Sequence, residues 1–171
     1  MSSDPPFGVS CVTERLYLGG HIGGREHADW LVAEGITHVI SVAIELSDRV
    51  ACAERNLGYR HLYWHDNGQL KPIADFVRTL AWLRKQEETY EAAGRLLRLY
   101  VHCAMGMNRG PLMATYPLAA TAEIPADEAW AIVKRSRPQV ESFESPAYRH
   151  SCILALAGFM ANAVPETVGA R

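Results

Sequence analysis

At 171 residues the chain suits one domain, and 49% apolar with 21% charged residues is an ordinary globular composition with enough material for a core. A formal net charge of -2 excludes a global attraction to nucleic acid or to an anionic membrane, so any affinity for an anion must be built locally. The four cysteines, Cys11, Cys52, Cys103 and Cys152, form no CxxC pair, the first residues carry no leader pattern, and the apolar stretches are too short to span a bilayer. A cytoplasmic protein with free thiols is expected.

Residues 1–8, rich in Ser, Asp and Pro, read as a flexible segment, and the domain is expected over 9–163 with a tail at 164–171. VTERLYLGG reads as strand, turn and strand, closed by paired glycines. Helical spacing from Arg25 to Glu34 stops at Gly35, and ITHVISVA follows as a buried strand. A short helix around Ser47 to Asn56 leads to the β-rich run YRHLYW, and then to the turn HDNGQ, which places Asp66 just past a strand end. Pro72 suits the first turn of a helix reaching about Tyr90, and LLRLYVH is the next strand. Helices then follow from Arg109 to about Thr121, from Pro125 to Ser136, and from about Pro146 to Ala163. The alternation predicts an α/β domain, a central mostly parallel sheet flanked by helices.

The segment joining the last strand to its helix, His102-Cys103-Ala104-Met105-Gly106-Met107-Asn108-Arg109, carries the chemistry. A loop that enters a helix N-terminus turns backbone N–H groups inward, and with the helix dipole they bind a dianionic phosphate. Ala104, Met105, Gly106, Met107 and Asn108 would form that cradle, with Gly106 allowing the turn. The same field favours a thiolate on Cys103, and Arg109 can meet two phosphate oxygens with its planar fork.

HCAMGMNRG resembles the H-C-x5-R loop of the protein tyrosine phosphatases, and the whole chain resembles a small dual-specificity phosphatase. ERLYLGG, GITHVISVA, HDN, HCAMGMNRG and VKRSRPQV stand in that family's order. The resemblance implies a phosphatase P-loop between a strand and a helix, and a pocket shallower than that of the larger tyrosine-specific domains. It implies Cys103 as nucleophile, Arg109 as clamp on the transferring phosphoryl group, and Asp66 as general acid, with His102 orienting the loop. It also implies no cofactor and no metal, and as partner a phosphorylated protein or peptide, with phosphotyrosine foremost and phosphoserine or phosphothreonine beside it. No nucleic-acid or membrane partner is expected, and the sequence specifies no oligomeric state.

One position departs from the family. Gly110 stands where Ser or Thr is usual, so the thiolate lacks a hydroxyl as it leaves, and breakdown of the intermediate should be slow. Other readings stay open: a non-protein substrate such as an RNA 5' end, a glucan or a lipid, or a silent module that binds phosphate without turnover. Asp75 is the fallback acid, and His61 with His65 and Asp66 the one conceivable metal set. Trp64 reads as core, and Arg135 and Arg137 as a solvated helix end or a secondary anion patch.

Overall fold

The computed structural model describes residues 6–162, so the expectations for residues 1–5 and 163–171 lie outside the described residues. Strands β1 (Ser10–Thr13), β2 (Leu16–Gly19), β3 (His38–Ser41), β4 (Gly58–His61) and β5 (Leu99–His102) form one sheet in the order β1-β2-β5-β3-β4. Among the described residues only the β1–β2 pair is antiparallel. Helices α1 (Arg25–Ala33), α2 (Arg49–Ala53), α3 (Ile73–Ala92), α4 (Arg109–Ala122), α5 (Ala126–Ser136) and α6 (Pro146–Asn162) cover both faces. The chain is thus the expected α/β domain with a central mostly parallel sheet.

The three inner strands β2, β5 and β3 are buried along their whole length, as strands covered on both sides must be. Side chains alternate across the sheet. Tyr17, Val39 and Tyr100 point to one face, where Ala28 and Leu31 of α1 and Cys52 of α2 meet them. Leu18, Ile40 and Val101 point to the other, against Phe76 and Leu80 of α3, Leu112 and Tyr116 of α4, and Cys152 of α6. Trp64 belongs to this second cluster, and its indole N–H donates to Asp75 Oδ2 at 2.8 Å.

Pro6–Gly8, placed by the sequence in the loose leading segment, form a 3-10 turn, with the Phe7 ring stacked on His27 at 4.7 Å. Burial pushes the His27 imidazole down to about 4. Among the described residues no helix is long and apolar enough to cross a membrane.

Register brings the inner strands to one edge: Gly19 and Ser41 both lie beside His102. The loops after β2, β3, β4 and β5 therefore meet at the C-terminal edge of the sheet, where open α/β sheets place their ligand crevices.

Candidate active site

Cys103 to Asn108 run from the end of β5 into α4, and every carbonyl of the segment is turned away from its centre. His102 Nδ1 lies 3.2 Å from Cys103 O, and the His21 N–H donates to Ala104 O at 3.1 Å. Arg137 donates from Nη2 to Met105 O at 3.0 Å and from Nε to Gly106 O at 2.8 Å. Glu141 N–H donates to Met107 O at 3.0 Å, and the Ser142 hydroxyl donates to Asn108 O. In a planar trans peptide the C=O and the next N–H point in opposite directions. Six outward carbonyls thus direct the amides of residues 104–109 into the loop, where Gly106 N–H donates to Cys103 Sγ at 3.3 Å.

Glycines make that shape possible. Gly106 sits at φ +67, and a Cβ there would overlap the backbone of Gly19. Across the contact, a Cβ on Gly20 would lie 3.0 Å from Ala104 O. The paired glycines that end β2 and the glycine of the loop are therefore one packing solution, in which two backbones approach with no side chain between them.

Arg109 is buried, and its donors are divided between two tasks. Nη1 and Nη2 donate to Glu45 Oε2 and Oε1 at 2.8 and 2.5 Å, and Nη1 also donates to Trp64 O at 2.9 Å. Among the described residues Nε has no hydrogen-bond partner, and it lies 3.6 Å from Asp66 Oδ2. Glu45 thus grips the end of the guanidinium and leaves its side, Nε with the second N–H of Nη2, to meet a second anion. Bonding to Arg109 holds the Glu45 carboxyl at about 2, well below its ordinary 4.5.

Asp66 stands on the loop after β4, partly exposed. The Tyr148 hydroxyl of α6 donates to its Oδ1 at 3.3 Å. Burial, with the nearby Asp66 charge adding to it, pushes the Tyr148 phenol up to about 12, so it remains a donor at neutral pH. Lys71 secures the same loop: its ammonium donates to His65 O at 2.5 Å and to Asn67 Oδ1 at 3.0 Å, and lies 4.7 Å from the centre of the Tyr148 ring. Behind Cys103, His102 is fully buried with Nε2 2.9 Å from Asp48 Oδ2. His61 Nε2 is taken up by Ala43 O at 2.6 Å, and among the described residues no three His, Cys, Asp or Glu side chains are grouped to hold a metal.

No family model matches the chain. The tyrosine-protein phosphatase vhp-1 of Caenorhabditis elegans is 25% identical over 133 residues, 78% of this chain and 19% of that protein, so the chain spans about a fifth of the relative's length. Among solved structures, PTPMT1 in complex with PI(5)P superposes with a TM-score of 0.77 at 17% identity, covering 92% of this chain and 99% of that one. Human DUSP28 superposes with a TM-score of 0.73 at 19% identity, covering 93% and 99%. At these identities the likeness to the solved phosphatase structures is one of fold.

The structure brings Cys103, Arg109 and Asp66 to one crevice, and Asp75 is occupied elsewhere by Trp64. Gly110, the departure, is packed tightly: a Cβ there would lie 3.1 Å from Cys103 N and 3.3 Å from His102 C. Sequence reasoning missed Glu45, Tyr148 and Lys71, and it took Arg137 for a solvated or anion-binding residue. Arg137 is in fact buried. Besides the two loop carbonyls, it donates to Gly8 O at 2.5 Å and so joins the start of the fold to the cradle. The available signal for Glu45 was its place, a carboxylate just past the C-terminal end of a buried parallel strand.

Proposed function

We propose that the chain is a metal-independent phosphomonoester hydrolase that works through a phosphocysteine intermediate on phosphotyrosine, and on phosphoserine or phosphothreonine, of proteins. The observation that carries this reading is the loop of outward carbonyls around Cys103 Sγ together with the unpartnered side of the Arg109 guanidinium. Amides 104–109 and Arg109 Nε and Nη2 would take the phosphate oxygens. Cys103 thiolate attacks phosphorus, the bond to the ester oxygen breaks, and that oxygen takes a proton from Asp66. Asp66, now a carboxylate, removes a proton from water as the water attacks phosphorus. Phosphate leaves, and the sulfur regains its electron pair. Positive charge for both transition states comes from Arg109 and the backbone, a role that metal ions fill in other phosphoryl-transfer sites.

The test is turnover of a small aryl phosphate by the wild type and by Cys103→Ser, each with and without EDTA. Activity that is indifferent to EDTA and at least about 10³-fold lower in the Ser variant is expected. Activity that survives the substitution, or that disappears with chelation, would overturn the proposal. A phosphoinositide is the second reading, because the PTPMT1 structure holds PI(5)P. Against it stands the cradle itself, where Ala104, Met105 and Met107 add no cation to Arg109.

A further inference from the structure

Beside the cradle lies a pocket of about 310 Å³ lined by Asp66, Gly68, Asn108, Glu141, Glu144 and Tyr148, among others. It shares Asp66 and Asn108 with the crevice, so a molecule whose phosphate occupied the loop would have its neighbouring groups at this pocket. The two regions ask for opposite charge. Buried Arg109 turns an unpartnered Nε toward the crevice and calls for an anion there. The pocket presents the Glu141 and Glu144 carboxylates beside Asp66, and among the described residues no cation lines it.

The nearby cations are already engaged. Lys71 is buried, with its ammonium on His65 O and Asn67 Oδ1. Arg137 is spent on carbonyls of the loop and of Gly8. Arg149 is paired with Asp127 at 2.7 Å. Lys134 donates to Val140 O at 2.5 Å and reaches Glu144 only at 3.9 Å, leaving the Glu144 carboxylate largely exposed. Glu141 is exposed as well, and its backbone N–H donates to Met107 O, which places the residue at the edge of the cradle. Met105, in the loop itself, is exposed and adds apolar surface beside the cradle.

We infer that this pocket selects phosphopeptides carrying a lysine or arginine close to the phosphorylated residue, and that it works against ligands with further phosphate groups. The inference rests on the phosphatase reading above and adds the substrate's charge pattern to it. Selection has two parts: attraction of a cation by Glu141 and Glu144, and repulsion of a second anion by the same groups.

The experiment compares kcat/KM for two phosphotyrosine peptides of equal length, one with Arg and Lys beside the phosphotyrosine and one with Asp and Glu there. Vesicles containing PI(5)P and a small neutral aryl phosphate are run in parallel. At low salt the basic peptide should be favoured by about tenfold, a few-fold for each exposed charge pair, and the preference should shrink as salt is raised. The Glu141→Gln, Glu144→Gln double variant should move the ratio of the two peptides toward one. Equal rates for the peptides, preference for the acidic one, faster turnover of the lipid, or a ratio unmoved by both salt and the double substitution would overturn the inference while leaving the phosphatase reading intact. Absence of aryl phosphate turnover would overturn the phosphatase reading, and the inference with it.

Discussion

Glu45 holds Arg109 by the end of its guanidinium, through Nη1 and Nη2, and leaves Nε free on the side that faces Asp66. A flexible arginine is thereby fixed before any anion arrives, and the entropy of ordering it is not charged to binding. Glu45→Gln should lower kcat/KM on an aryl phosphate by about tenfold, since one charge-assisted hydrogen bond is worth about 1.5–3 kcal/mol and only part of that reaches the transition state. The Glu45 carboxyl is depressed from 4.5 to about 2, so the pair's contribution to stability is full above about pH 4.5 and fades as pH falls toward 2. Unfolding free energies of wild type and variant, measured by urea at a series of pH values, should differ by a constant amount near neutrality and converge in acid. A difference that ignores pH would show that the ion pair does not form.

The Asp66 carboxylate is held by the Tyr148 hydroxyl, and its loop by Lys71. Asp66→Asn should slow an alkyl phosphate by about 10²-fold or more while affecting an activated aryl phosphate far less, because only the poor leaving group needs a proton. Tyr148→Phe should show the same pattern more weakly. Equal slowing of both substrates in Asp66→Asn would move the acid to another residue. Asp75→Asn, by contrast, can still accept from the Trp64 indole and should show no such leaving-group dependence, while Asp75→Ala loses that bond and should lower stability.

Arg137 bonds Met105 O, Gly106 O and Gly8 O from a buried position. Lysine cannot reproduce that fan of donors. Arg137→Lys should cost about 2–3 kcal/mol of stability, on the scale of charge-assisted bonds left unmade in a buried site, and should weaken inorganic phosphate binding as the loop loosens. Urea denaturation and phosphate inhibition measure the two effects. A variant as stable as the wild type would mean that the loop holds its shape without this brace.

Gly110 bears on the second chemical step. Without a hydroxyl beside the departing sulfur, breakdown of the phosphocysteine should limit turnover, so rapid mixing with an activated aryl phosphate should give a burst close to one product per site. Gly110→Ser should shrink the burst and raise the steady rate. It should also lower the melting temperature, because its Cβ would press to 3.1 Å from Cys103 N and the loop must yield by a few tenths of an ångström. Gly110→Ala carries the steric cost alone and separates it from the hydroxyl. If the wild type shows no burst and the Ser variant gains no rate, Gly110 serves the packing of the loop and the missing hydroxyl has no kinetic consequence.

The parts of the site that could be read in the sequence are those whose residues adjoin. His102 to Arg109 carry strand end, turn and helix start in one stretch, so the amide-lined loop follows from local rules. The order of β2, β3, β5 and their helices was legible because buried parallel strands are continuous apolar runs. Glu45, Tyr148 and Arg137 were not legible, since each reaches the site from a distant part of the chain and nothing in its own neighbourhood marks the partner. Arg137 is the clearest case: at a helix end beside Lys134 and Arg135 it looks like solvent-facing charge, and only the approach of the loop and of Gly8 turns it inward. Boundaries shifted for a related reason. YRHLYW has β propensity throughout, but ladder partners on β3 exist only for Gly58–His61, and the chain then leaves the sheet to deliver Trp64 and Asp66.

The central claim is a covalent bond between Cys103 and phosphorus. Wild-type enzyme mixed with an activated aryl phosphate, quenched in acid within milliseconds and digested for mass spectrometry, should yield the peptide containing Cys103 with the mass of one added phosphoryl group. The label should be lost on a chase and absent from Cys103→Ser. Full turnover with no phosphoryl group on Cys103 at any quench time, or a label found on another residue, would contradict the account.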